Sequence, residues 1–164
     1  MKTKLLIALL AVSLSSLAQQ AQPAPAPAPE YGAPIGLETA KKIAAAAEAF
    51  AKEKKWPVVI VIVDSGSNLV LLHKFDNTQI GSIDVAIGKA KTANNFKRPT
   101  KAFEDAIGGG GVGARVLSLP GAVTIDGGEP IVVDGKIVGA IGVSGVQASQ
   151  DAEVAKAGLA SLNK

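Results

Sequence analysis

Apolar and polar positions follow different rhythms along this chain, and each rhythm predicts an element. Residues 58–63, VVIVIV, form a continuous β-branched run, the pattern of a central strand buried on both faces. The polar cluster Asp64-Ser65-Gly66-Ser67-Asn68 is a turn, and residues 69–75 return as a second strand that closes a hairpin. Upstream, residues 37–55 are alanine-rich, with Ile43, Ala47, Phe50 and Ala51 at helical spacing, and Trp56-Pro57 stops this helix. Downstream, Ile80, Ile83, Ala86, Ile87 and Ala90 mark the buried stripe of a helix over residues 80–96, which Arg98-Pro99 ends. Thr100 is placed to cap a short third helix, with Glu104 or Asp105 in its first turns.

Glycine shapes the second half of the pattern. Residues 108–113, GGGGVG, read as a flexible loop. Residues 121–125, 130–133 and 136–143 read as three short strands, with turns at Asp126-Gly127-Gly128 and Asp134-Gly135, the latter a two-residue hairpin signature. Residues 149–162 form a closing helix, with Asp151 and Glu153 favourable near its start. Within residues 137–143 bulk alternates: Ile137, Ile141 and Val143 point one way, Val138, Ala140 and Gly142 the other. One face is filled and the other is nearly flat, which suits close approach by a helix, a ligand or another subunit.

The first 34 residues follow neither rhythm. Residues 1–18 have the layout of a secretory signal peptide: Lys2 and Lys4, a short apolar core, then Ser16-Leu17-Ala18. The apolar run is shorter than the ~20 residues of a membrane span, so no membrane insertion is expected after cleavage. Residues 19–34 are rich in proline and alanine and read as an extended spacer, leaving residues 35–164 as one folded domain. Loss of two lysines with the signal takes the basic side chains from 17 to 15 against 14 acids, a formal charge of +1. That balance leaves no electrostatic footprint for nucleic acid. With no cysteine, disulfides, thiolate chemistry and zinc-finger sites are excluded, and stability rests on core burial or oligomerisation.

Three blocks carry a family resemblance: VVIVIVDSGSNLVLLHKFD at 58–76, SIDVAIGKAKTANNFKRPT at 82–100 and GGEPIVVDGKIVGAIGVSG at 127–145. In this order and spacing they resemble the GlcG/HbpS family, haem-binding proteins with a suggested role in haem degradation, also met as the C-terminal domain of PduO-type proteins. The resemblance covers nearly all of residues 37–160. It implies an α+β fold, a profilin-like five-stranded antiparallel sheet flanked by helices, and self-association as a homo-oligomer. Some exported members are haem-binding, redox-linked accessory proteins, and others accompany glycolate or diol metabolism. Fold does not fix function.

A haem binder needs an axial donor, commonly His, Met, Tyr or Cys. His73 is the only histidine, Tyr31 the only tyrosine, placed in the spacer, and Met1 departs with the signal. His73 shares strand parity with Leu69, Leu71 and Phe75, an apolar surface for a porphyrin, and Lys74 is placed to pair with propionates. Arg98 and Arg115, the only arginines, suit propionates or a small acid through their planar forks, with structural salt bridges as the simpler role for each. A catalytic zinc site takes three protein ligands, and one histidine leaves only carboxylates such as Asp64, Asp76 and Asp84 to complete it; turn and capping roles explain the first two more simply, so no metal centre is expected. GGGGVG offers backbone amides to an anion but lacks the continuation of a P-loop. Ser144 lacks the nucleophile-elbow spacing.

The sequence therefore reads as a secreted or periplasmic haem (tetrapyrrole)-binding protein, extending to assistance in haem degradation or redox sensing. One alternative is a lyase- or isomerase-type enzyme acting on a carboxylate-bearing metabolite through a carboxylate and an arginine. The other is a non-catalytic oligomeric partner of a sensor, built on the flat sheet face.

Overall fold

Six consecutive apolar residues, Val58 to Val63, have no solvent exposure at all, and the fold is assembled around them. Burying each such side chain stabilises the fold by about 1.5–3 kcal/mol. A computed structural model describes residues 27–163. Its elements run β1 (Glu30–Tyr31), α1 (Leu37–Lys54), β2 (Val59–Asp64), β3 (Leu69–Lys74), α2 (Ser82–Asn95), α3 (Lys101–Gly108), a 3-10 segment (Gly111–Ser118), β4 (Gly128–Val133), β5 (Lys136–Ser144) and α4 (Ala148–Leu159). A second 3-10 turn, Ala160–Asn163, follows α4. The expected signal peptide at 1–18 lies outside the described residues.

The fold is α+β, with a five-stranded sheet flanked by helices. Strands β4, β5, β2 and β3 pair antiparallel in that spatial order. The sheet is nonetheless mixed, not wholly antiparallel, because β1 runs parallel to β5 through Glu30 opposite Lys136 and Tyr31 opposite Ile137. β1 meets the end of β5 that β2 does not reach. It comes from the stretch expected as spacer, whereas residues 121–125, expected as a strand, are irregular. Tyr31 secures β1: its hydroxyl donates to the carbonyls of Asn94 at 2.8 Å and Asn95 at 3.2 Å, at the end of α2.

Alternation along β2 splits the core into two layers. Val58, Ile60 and Ile62 pack with Ile141, Val143 and the buried faces of α1 and α4. Val59, Val61 and Val63 pack with Ala86, Ala90 and Ala93 of α2 and with Ala140. A register shift between Ile131 and Val132 interrupts alternation in β5, so Val138 joins Ile141 and Val143 instead of opposing them. The flat face at Ala140 and Gly142 is covered by α2. A Cβ at Gly142 would collide with the Ala86 carbonyl, and one at Gly128 would lie 2.7 Å from the Thr100 methyl. Glycine here sets helix-to-sheet distance, and the flat surface on which a sensor-partner role was based is not free.

Turn chemistry follows the sequence closely. Asp64 Oδ1 accepts from the amides of Gly66 at 2.8 Å and Asn68 at 2.9 Å, closing the β2–β3 turn. Asp134 and Gly135 both have positive φ, 49° and 75°, as the tight β4–β5 hairpin requires. Thr100 departs from expectation: it precedes α3 but makes no side-chain cap, and its Oγ1 instead accepts from the Gly128 amide at 2.9 Å. The glycine run at 108–113 passes into the 3-10 segment.

Candidate functional site: a histidine cleft beside the edge strand

Among the described residues β3 pairs only with β2, and α1 crosses beside it. Between the C-terminal half of α1 and the end of β3 lies an open cleft of about 880 Å³. Its apolar walls come from Ala51, Trp56, Pro57, Leu72 and Phe75, and its polar rim from Glu48, Lys52, Lys55, His73, Lys74 and Asp76. Trp56 and Pro57, which stop α1, thereby form one wall. Trp56 also packs edge-on against Phe50, ring centroids 6.1 Å apart.

His73 stands opposite Ile60 in the β2–β3 ladder and turns its ring toward α1. There Nδ1 is hydrogen-bonded to Glu48 Oε1. Glu48 also accepts from Lys52 Nζ at 3.0 Å, and Lys52 lies 5.7 Å from the centre of the Phe75 ring. Burial works to raise the Glu48 carboxyl, but hydrogen bonds from His73 and Lys52, and their charges, hold it below its ordinary value. Glu48 is therefore an acceptor, which assigns the proton of a neutral His73 to Nδ1. Nε2 is left as the lone-pair nitrogen, on a side chain 44% exposed. A carboxylate behind a histidine in this way fixes the ring and raises its basicity as a ligand.

The structure separates the expected site residues into two places. His73 and Lys74 share the cleft. Arg98 and Arg115 line a second groove, of about 370 Å³, with Phe96 and Phe103. Neither arginine makes an ion pair among the described residues. Among the described residues no carboxylate lines that groove, so they do not assemble there the carboxylate-plus-arginine pair needed by the enzyme reading. A register shift between Ile62 and Val63 puts Leu69 out of step with Leu71 and His73, leaving it exposed and away from the apolar surface expected around the histidine.

Sequence reasoning missed Glu48, Lys52 and Trp56. Glu48 sits beside Ala47 and Ala51 at the border of the buried stripe of α1. A carboxylate at such a border, on a helix leading into a strand pair with the only histidine, is the signal that marks it.

A family model described as "Haem degrading protein HbpS-like" matches residues 35–160. Protein GlcG of Escherichia coli K12 is 37% identical over 110 residues, covering 67% of this chain and 81% of that protein. A double mutant of HbpS from Streptomyces reticuli superposes with a TM-score of 0.73 at 27% identity, covering 96% of this chain and 98% of the other. A PduOC:heme complex superposes with a TM-score of 0.72 at 26% identity, covering 79% and 96%. Order of elements, sheet and sequence thus agree, and the chain belongs to the HbpS-like family.

Proposed function

We propose that this protein binds haem in the cleft beside β3, with His73 Nε2 as the axial donor. The observation that carries the reading is the Glu48–His73 pair at the rim of an apolar cleft. The donor set fits the group: one imidazole nitrogen is free, a carboxylate orients the ring, and Trp56 and Phe75 offer apolar contact. Lys52, Lys55 and Lys74 supply cations for propionates. When bound, haem supplies a redox-active iron. The chain's residues orient the His73 ring through its Nδ1–H, which donates to Glu48, and shield one side of the ligand from water. The haem-complex neighbour and the family description support the choice of ligand.

Assistance in haem degradation or redox sensing belongs to the same reading, as does export to the periplasm or medium through residues 1–18. Release of a form beginning near residue 19 is the expected sign of export. Among the described residues no helix is long and apolar enough to cross a membrane. Homo-oligomerisation is also part of the proposal. Ile80 and Val112 are 87% and 81% exposed in the single chain, and a second copy would cover such side chains.

Haemin titration of the purified protein tests the reading, followed by Soret absorption and by emission of Trp56, the only tryptophan. Saturable binding with quenching is expected, weakened in His73→Ala with loss of the ligated Soret band. A Soret shift retained in His73→Ala would move the site elsewhere, and absence of saturable binding would remove haem as the ligand.

A further inference from the structure

The geometry points to the groove between Arg98 and Arg115 as a second ligand site, for a small organic carboxylate with a flat apolar body. Arg98 and Arg115 both line it, and among the described residues no carboxylate does. Like charges gathered in this way create a local field for an anion.

Arg98 is already organised for the task. Its Nε donates to the Phe96 carbonyl at 3.1 Å, and its guanidinium lies 5.7 Å from the centre of the Phe103 ring. Phe103 in turn meets Phe96 edge-on, centroids 5.4 Å apart at 69°. One edge of the guanidinium is thus tied to the backbone and the group lies over the Phe103 ring. The terminal nitrogens remain to grip a carboxylate as a fork, which a lysine cannot do.

The opposite wall is of a different kind. Arg115, Val116 and Leu119 are carried on or just after the 3-10 segment, which joins α3 through consecutive glycines. Gly110 and Gly111 have φ of 67° and 55°, and nothing lies within 4 Å of where a side chain would start at either. These glycines turn the chain so that the 3-10 segment lies back on α3, where Gly113 packs against the Ala106 carbonyl, and this brings Arg115 to the groove that Arg98 also lines. Aromatic and aliphatic walls favour an organic acid over an inorganic anion. A groove of about 370 Å³ is at the small end of the size range of ligand pockets.

Calorimetric titration of the purified protein with benzoate, benzyl alcohol and inorganic phosphate tests the site. Benzoate is expected to bind saturably. Benzyl alcohol, without the charge, and phosphate, without the ring, are each expected to bind at least about tenfold more weakly. Arg98→Gln and Arg115→Gln are each expected to weaken benzoate by about tenfold or more at an unchanged thermal midpoint, since both side chains are exposed. Haemin quenching of Trp56 should be the same in both variants as in the parent, because the two sites share no lining residue. No saturable benzoate binding, benzoate binding unaffected by both substitutions, phosphate binding as tight as benzoate, or loss of haemin binding in the arginine variants would each overturn the proposal.

Discussion

Lys89 and Asp151 meet 2.8 Å apart with only 1% and 3% of their side chains reaching solvent. Lys89 Nζ also donates to the Val143 carbonyl at 3.0 Å, and the other Asp151 oxygen accepts from the Val146 amide at 3.1 Å. One ion pair thereby ties α2 to β5 and to the start of α4. Burial pushes the Asp151 carboxyl up, against the pull of Lys89. Removing one partner leaves the other charge buried and alone, so Lys89→Met and Asp151→Asn should each cost about 3–5 kcal/mol. The double variant Lys89→Met/Asp151→Asn should lose less than the sum of the two single losses. Urea unfolding of the four proteins gives the comparison, and additive single losses would show that the pair is not coupled.

Gly142 carries the close contact between β5 and α2. Gly142→Ala drives a methyl into the Ala86 carbonyl and should cost about 1–3 kcal/mol. Gly36→Ala is the control, with φ at −77° and open space around it, and should change stability by less than about 1 kcal/mol. Thermal melts of the two variants should differ clearly. Equal melts would mean that α2 yields to the methyl.

Glu48 links stability to pH. Its folded-state carboxyl lies below its ordinary value, so its contribution is present above the unfolded value and is lost as pH falls through the folded one. Glu48→Gln should be less stable than the parent at neutral pH, by roughly 0.2–1 kcal/mol for a partly exposed group, with the gap closing on acidification. The same substitution should weaken haemin about 10–100-fold, because the imidazole loses its orienting carboxylate. Unfolding curves at several pH values and a haemin titration check the two effects separately.

Glu129 has the opposite sign. It is buried beside Lys156, 3.6 Å away, and burial raises its carboxyl despite the lysine, helped by the charge of Asp126. A raised carboxyl favours the fold at low pH, and that advantage is lost as pH rises through the folded value. Glu129→Gln should therefore be more stable than the parent at neutral pH and no more stable well below the ordinary glutamate range. Denaturant midpoints at the two pH values decide it.

Regular elements were legible wherever local pattern and burial agree, as at Val59–Asp64, Leu37–Lys54 and the Asp134-Gly135 turn. Local pattern failed where a distant partner decides. Residues 121–125 have strand-like composition, yet the Val123 amide bonds to Thr92 Oγ1 at 2.8 Å, and its side chain fills the space over Gly88. Glu30–Tyr31 has almost no local signal, and its strand exists because β5 and the end of α2 receive it. At the candidate site the histidine was visible as a singleton. Its pairing with Glu48 was not, because 25 residues and a change of element separate the two. Separation of the arginines from His73 depends on helix placement, which no spacing encodes.

Tyr31 also bears on where the protein's independent unit starts. The family match begins at residue 35, but sheet pairing and the cover on the last carbonyls of α2 begin at Glu30 and Tyr31. A chain cut at residue 35 would keep every motif shared with its relatives and yet expose the backbone of Lys136 and Ile137 along the rim of β5. Such a rim is a template for a foreign strand. The boundary drawn by shared sequence and the boundary drawn by hydrogen bonding differ by one short strand. The shorter piece invites promiscuous pairing.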